Sequence, residues 1–290
     1  MVHVPAFAKL NLDLRVLFKR PDGFHELRSV FQTISLADRI GIRFRKSRRT
    51  EVRIGGNVDI PDNLIVRAAR LCLDEMRVAA EVDFELDKRI PMGAGLGGGS
   101  TDAAAVLLAL PSLAGKTIPQ QRLIAMAAQL GSDVPFFLLG GTAAVLGRGE
   151  ELYPIADRRA AHVLLVSPDV HVSTPEAYRA LSARLTPESV KPKLTGFQCD
   201  LWTGGGEAAN DFEQVVFEQH PRLKTIRNQL RRAGASTALM TGSGSSVFGI
   251  FPGKAELDAA AKLFSRERVF AVRFLTRTAY RAAIARSLTT

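Results

Sequence analysis

The sequence predicts an α+β fold, on three observations. Residues 2 to 16 alternate strictly, with Val2, Val4, Ala6, Ala8, Leu10, Leu12, Leu14 and Val16 on one side and His3, Lys9, Asn11, Asp13 and Arg15 on the other. That is the mark of a strand with one buried face. Helical patterns are interspersed irregularly among such strands, and the second half of the chain reads strand, helix, loop, helix, strand, helix, strand, an order suited to an α+β sandwich. At 290 residues the chain has room for two domains of ordinary size. A boundary is expected near residue 155, where Arg158 and Arg159 precede a new strand.

Each element has its own signal. Pro21-Asp22-Gly23 marks a turn after the first strand, and strand-like runs follow at Val30 to Leu36 and Arg39 to Arg45. The basic run Arg43 to Arg49 reads as a solvated strand end or hairpin. Asp62-Asn63 opens a helix through about Glu75. Val82, Phe84 and Leu86 alternate with Asp83, Glu85 and Asp87, which describes a half-exposed antiparallel strand. A helix from about Ser100 carries the apolar run Ala103 to Leu110, and Pro119 precedes a second helix through Leu123, Ile124, Ala127 and Leu130. Gly140 to Gly149 reads as a strand with glycine-rich ends. Beyond the boundary come a strand at His162 to Ser167, a helix, a loop at Gly204-Gly-Gly206 expected to be mobile, and a helix through Leu223, Ile226 and Leu230 closed by Gly234. Strands at Val247 to Phe251 and Val269 to Leu275 flank a helix at Glu256 to Phe264.

The formal charge of +10 admits nucleic acid, an acidic surface or anionic small molecules as partners. The basic residues are scattered without an aromatic platform, so nucleic acid is not the expected partner. Cys72 and Cys199 lie far apart without metal spacing, and Cys72 falls on the apolar face of a helix, so no disulfide framework is expected. No apolar run approaches the ~20 residues of a membrane span. With the first residues running straight into a strand, a cytoplasmic protein with no membrane partner is expected.

The densest chemical signal is Pro91-Met-Gly-Ala-Gly-Leu-Gly-Gly-Gly-Ser100, with five glycines at 93, 95, 97, 98 and 99. Gly93, Gly95 and Gly98 satisfy GxGxxG, but the preceding strand is half-exposed, no acidic residue lies about 20 positions on to hold a ribose, and a second helix follows instead of a second strand. No Lys precedes Ser100, so this is not a P-loop either. The loop's physics still suits phosphate: glycines let N–H groups converge, and a helix start adds its positive dipole end. The alternative is a flexible connector, for which five glycines are far more than needed.

Three further places carry candidate chemistry. Lys9 and Asn11 project from the polar side of the first strand, either as a solvated face or as site residues. Asp133, set between Gly131-Ser132 and the apolar Val134-Pro-Phe-Phe-Leu138, is either a helix cap or a partly desolvated base. Thr241-Gly-Ser-Gly-Ser245 is a second glycine-serine turn. Two such loops, one per half, fit an enzyme that encloses a polyphosphate.

Ala8-Lys-Leu-Asn11, Arg20-Pro-Asp-Gly-Phe-His-Glu26, the glycine loop, Leu130-Gly-Ser-Asp-Val-Pro-Phe136 and Thr241 to Ser245 occur in this order. Together they resemble the GHMP small-molecule kinases, from about Val4 to Arg277. The glycine loop marks the superfamily. The Pro-Asp-Gly-Phe-His and Gly-Ser-Asp-Val-Pro segments point to its branch that phosphorylates a diphosphocytidyl-bearing alcohol of the non-mevalonate isoprenoid route. The resemblance implies a ribosomal-S5-domain-2-like half at residues 1–155 and a ferredoxin-like α/β sandwich half at 156–290, with the active site between them. It implies ATP and Mg²⁺, Asp133 as the base for the substrate hydroxyl and Lys9 as its charged neighbour. Gly93, Gly95, Gly97, Gly98, Gly99, Ser100 and Thr101 would wrap the ATP phosphates, with Asn63, Leu64, Lys88 and Pro91 near the nucleotide. Asn11, Phe24, His25, Thr174 and Tyr178 would face the substrate, the two rings at 24 and 178 stacking on the pyrimidine and His25 reading its edge. Phe24 stands where the family usually has Tyr, and Tyr178 where it often has Phe. No metal ligand is assigned, since Ser100 and Thr101 have no clear carboxylate partner. A monomer or weak homodimer is expected. The neighbouring readings are a GHMP kinase for homoserine or mevalonate and, outside enzymes, a basic nucleic-acid-binding protein whose glycine loops merely turn the chain.

Overall fold

The computed structural model describes residues 1–158, 161–184 and 208–289; Arg159, Cys199 and Gly204-Gly-Gly206 lie outside the described residues. The first sheet is built around a long hairpin of β1 (Val2–Lys19) and β2 (His25–Lys46), turned by Pro21-Asp22-Gly23. The two strand runs expected between Val30 and Arg45 are one strand. Its far half pairs antiparallel with β4 (Ala80–Asp87), and its near half with β5 (Thr142–Gly147), which leads to β6 (Glu151–Pro154). On the outer edge β3 (Glu51–Gly56) pairs parallel with β4. Helices α1 (Leu64–Met76), α2 (Gly98–Ala114), α3 (Gln120–Leu130) and α4 (Val134–Leu139) complete the first half and share its apolar core with Ile40, Ile42, Val82 and Phe84. Cys72 is buried there.

The second sheet has the order β10-β7-β9-β8, from β7 (His162–Ser167), β8 (Thr237–Met240), β9 (Val247–Phe251) and β10 (Arg268–Val272), every pair antiparallel. Helices α5 (Thr174–Ser182), α6 (Glu213–Gln219), α7 (Pro221–Arg232) and α8 (Lys254–Ala261) accompany it. Leu223, Ile226 and Leu230, spaced three and four apart on one face of α7, are fully buried, and Gly234 just beyond it takes a φ of +95°. The last strand of the first sheet ends at Pro154 and the first strand of the second begins at His162, while the closing helix α9 (Arg277–Thr289) returns to the first core, where Tyr280 and Ile284 are buried. Among the described residues no helix is long and apolar enough to cross a membrane.

The polar side of β1 is not the solvated face that alternation suggests: Lys9, Asn11 and Asp13 are 4 %, 2 % and 1 % exposed. Strict alternation implies a half-wet strand only if nothing covers the second face. Here Ala8, Leu10 and Leu12 pack with Val163, Leu165 and Phe248 of the second sheet, while Leu14 and Val16 join the core of the second half. Segments at Ala209–Asp211 and Thr241–Gly242 close over the polar positions, through Leu14 N–H to Ala209 O and Asn11 N–H to Thr241 Oγ1.

Candidate active site

The site grows from an irregularity in the hairpin. The β1–β2 register shifts between Phe7 and Lys9 and again between Asn11 and Asp13, and such breaks re-aim side chains. Lys9 Nζ donates to Asn11 Oδ1 at 2.7 Å, lies 3.4 Å from Asp133 Oδ2, and stands 4.5 Å from the centre of the Phe31 ring. A buried ammonium is tolerable only with such partners. Asn11 is committed as well: Oδ1 also accepts from Gly242 N–H at 3.0 Å, and Nδ2 donates to Ser29 Oγ at 2.9 Å.

Asp133 occupies the position before α4, yet its side chain makes no capping hydrogen bond. Its carboxylate is 27 % exposed and opens on a cavity of about 340 Å³ lined also by Lys9, Gly95, Gly97, Ser100 and Arg148. A carboxylate beside an ammonium at the mouth of a glycine loop can take a hydroxyl proton while the ammonium offsets charge on a transferring group.

The glycine loop meets this cavity with Gly95, Gly97 and Ser100. Gly97 precedes α2 with φ +71°, and an added Cβ there would lie 2.8 Å from Phe137 Cζ and 3.3 Å from Lys9 Cγ. Pro91 and Gly93 line a different cavity, on the side of His171 and Arg268. Thr101 is buried within α2, and Leu64 touches the position of Gly99. Asn63 caps α1, its Oδ1 accepting from Ile65 N–H at 3.0 Å. Lys88 turns inward onto Asp38 and Asp102, away from the central cavity.

A larger cavity of about 830 Å³ adjoins, lined by Phe24, His25, Thr174, Tyr178 and Ser182 among others. Phe24 is 55 % exposed, with its ring face 4.9 Å from the Arg148 guanidinium carbon. Tyr178 is not an open face: His25 stacks on it at 5.0 Å and 25°, and Phe212 meets it edge-on. Burial, with Asp133 nearby, holds the Tyr178 phenol up and neutral, and burial together with Lys19 holds the His25 imidazole below its usual range. Thr174 Oγ1 shares a 2.7 Å hydrogen bond with Ser243 Oγ.

Both cavities are lined by Leu27, Ser132, Arg148, Thr174 and Tyr178. Arg148 was missed by the sequence reading. Its signal is a lone cation between Gly147 and Gly149, whose φ angles are +70° and +107°. Asn210 was missed too, and it supports the second glycine turn by donating to Met240 O and Gly242 O at 2.7 and 2.8 Å.

Comparison with known proteins places the chain in a family. The model of the GHMP kinases N terminal domain matches residues 63–141, and that of the GHMP kinases C terminal domain matches residues 200–267. A 4-diphosphocytidyl-2-C-methyl-D-erythritol kinase of Solibacter usitatus is 52 % identical over 99 % of this chain and 92 % of its own length. One from Geobacter metallireducens is 40 % identical over 88 % and 91 %. A crystal structure of 4-(cytidine 5'-diphospho)-2C-methyl-D-erythritol kinase superposes with a TM-score of 0.80 at 38 % identity, covering 94 % of this chain and 98 % of that one. The homoserine kinase of Cytophaga hutchinsonii, at 16 % identity and a TM-score of 0.68 over 95 % of both chains, shares the fold. The chain therefore belongs to the GHMP kinases and, within them, to the 4-diphosphocytidyl-2-C-methyl-D-erythritol kinase family.

Proposed function

We propose that this chain transfers the γ-phosphoryl group of ATP to the 2-hydroxyl of 4-diphosphocytidyl-2-C-methyl-D-erythritol, a step of the non-mevalonate isoprenoid route. The observation that carries the reading is the pair of joined cavities: an aromatic one with Phe24 and His25, and a polar one with the glycine loop, Lys9 and Asp133. A cytidyl group in the first and a hydroxyl in the second require the diphosphate to cross the shared neck, where Arg148 supplies the cation. The alcohol oxygen bonds to the γ phosphorus as the bond to the β–γ bridging oxygen breaks, ADP leaves, and the hydroxyl proton passes to Asp133.

Asn11 holds Lys9 in place, and the second glycine turn through it. Residues 1–155 carry the nucleotide and the catalytic pair; Thr174 and Tyr178 from 156–290 close the substrate side. Among the described residues no group of three His, Cys, Asp or Glu forms a metal site. Mg²⁺ carried on nucleotide phosphates needs only one or two protein oxygens, and Asp133 and Ser100 are among the oxygen-bearing side chains that line the central cavity and would hold it. When bound, the ion would offset charge on the phosphates.

The test is ADP release from ATP with this alcohol, free methylerythritol phosphate, homoserine and mevalonate. Efficient turnover of the cytidyl alcohol alone is expected. Equal turnover of methylerythritol phosphate would remove base recognition from the site.

A further inference from the structure

Beneath the glycine loop, outside both cavities, lie three buried charges. Asp38 is on β2, Lys88 directly follows β4, and Asp102 is on α2; their side chains are 0 %, 5 % and 3 % exposed. Lys88 Nζ lies 2.5 Å from Asp38 Oδ2 and 2.7 Å from Asp102 Oδ2. The other Asp38 oxygen accepts the N–H groups of Arg89 at 2.6 Å and Ile90 at 2.8 Å. Asp38 thus grips the upstream end of the loop, and Lys88 carries the grip to Asp102 at the downstream end. Asn57 fixes the Lys88 main chain, Oδ1 accepting from its N–H at 2.8 Å and Nδ2 donating to its carbonyl at 3.1 Å. An added Cβ at Gly98 would stand 2.9 Å from Lys88 Nζ, so the ammonium sits directly under the first residue of α2.

We infer that Asp38, Lys88 and Asp102 form a positioning staple that holds the two ends of the glycine loop at the spacing the nucleotide phosphates need, with Lys88 acting through the loop and not as a phosphate ligand. With two carboxylates on one ammonium, Lys88 has no unpaired charge to offer a triphosphate. A buried ion group adds little net stability over apolar replacements, so its use here is geometric. A five-glycine loop has much conformational freedom to lose on binding, and fixing its ends removes part of that loss beforehand. Burial pushes the Asp102 carboxyl up, against the pull of Lys88.

The proposal rests on the ATP-binding part of the functional reading, and its test reads nucleotide directly. Asp38→Asn, Asp102→Asn, Lys88→Met and the double variant Asp38→Asn with Lys88→Met are compared in ADP affinity by calorimetry, in KM for ATP and for the alcohol, and in amide exchange of residues 92–97. Loss of pre-organisation is expected to weaken ADP on the order of tenfold in Asp38→Asn and Lys88→Met alike, with faster exchange in the loop and KM for the alcohol within about twofold. The double variant should be no worse than either single, because one staple is opened once. A loss in Lys88→Met that Asp38→Asn does not share, with loop exchange unchanged, would make Lys88 a direct ligand and overturn the staple. Lowered thermal stability with ADP affinity and exchange intact would overturn it too. If Lys88→Met does not fold, Asp38→Asn decides alone: weakened ADP with faster loop exchange supports the staple, and ADP affinity and loop exchange both unchanged would overturn it. Wild-type protein that binds ADP but leaves the cytidyl alcohol untouched would sink the substrate reading while these comparisons still stand.

Discussion

Gly95 and Thr241 approach so closely that a Cβ added at Gly95 would stand 2.1 Å from the Thr241 carbonyl oxygen. Thr241 Oγ1 donates back to Gly95 O at 3.3 Å, and Ser246 N–H donates to Ala94 O at 3.3 Å. The two glycine loops, one from each half of the chain, are packed main chain against main chain.

Gly95→Ala should therefore do more harm than a glycine substitution at the same kind of φ in open space. Gly95 has φ +76°, and Gly23 has φ +86° with nothing within 4 Å of an added Cβ. Left-handed strain costs roughly 1–2 kcal/mol for either, and overpacking adds about 1–3 kcal/mol at Gly95 alone. Urea unfolding of the two variants measures the difference. Equal losses would mean that the loops separate freely.

Asp133→Asn should fold normally and turn over poorly. A general base contributes ~10² to 10⁴ in rate, and the structure gives this carboxylate no capping bond to lose. Asn63→Ala is the contrast: it removes a real cap and should cost about 0.5–2 kcal/mol of stability. Near-normal kcat in Asp133→Asn would end its role as base.

Most of this site was legible where function needs unusual backbone. The glycine loop, Asp133 and the aromatic pair at 24 and 25 stand out as residue types in a row, and the structure brings Gly95, Gly97, Ser100, Lys9 and Asp133 to one cavity. The burial of Lys9 and Asn11 was not legible, because it depends on Thr241 and Gly242, some 230 positions away, closing over β1. β3 was not legible because it is a short edge strand with an alternating but largely exposed face, and β8 because four residues, three of them buried in a row, are too few to show alternation. Helix α9 has few large apolar residues, and its docking on the first core accounts for the burial of Tyr280 and Ile284.

That docking ties α9 to the glycine loop through Phe137. The Tyr280 hydroxyl donates to the Phe137 carbonyl, and the Phe137 ring abuts Gly97. Tyr280→Phe leaves a buried carbonyl unpaired and should cost about 1–3 kcal/mol in urea unfolding, with a raised KM for ATP. Stability lost without any change in KM would confine Tyr280 to the core.

Arg148→Met should narrow the advantage of CDP over cytidine as competitive inhibitors. A hydrogen bond to a charged group is worth about 1.5–3 kcal/mol, roughly 10- to 150-fold in affinity. ADP affinity by calorimetry should stay unchanged. A loss confined to ADP would place the guanidinium on the nucleotide instead.

With a cytidyl group in the aromatic cavity, as proposed above, His25 would be the group to tell cytosine from uracil. Its Nε2 hydrogen-bonds with Ser182 Oγ, whose own hydroxyl donates to the Tyr178 carbonyl at 2.8 Å. Ser182 can then only accept from the ring, so the proton is on Nε2 and Nδ1 is left as an acceptor. An acceptor suits the amino group of cytosine and opposes the carbonyl of uracil. Burial, aided by Lys19, lowers the imidazole pKa, which keeps this neutral form in place at pH 7. The sign follows: between the lowered pKa and the ordinary value near 6.5 the unfolded chain binds the proton more readily. The contribution of His25 to stability is therefore full above that window and falls as pH drops through it. CDP inhibition should be flat from pH 8 to about 6.5 and weaken only at lower pH, where a charged ring offers two donors. His25→Ala should remove that acid limb, weaken CDP by roughly 1–3 kcal/mol and bring CDP and UDP close together. If His25→Ala weakened both inhibitors equally and kept the gap between them, the ring would be a stacking surface on Tyr178 and the base would be read elsewhere.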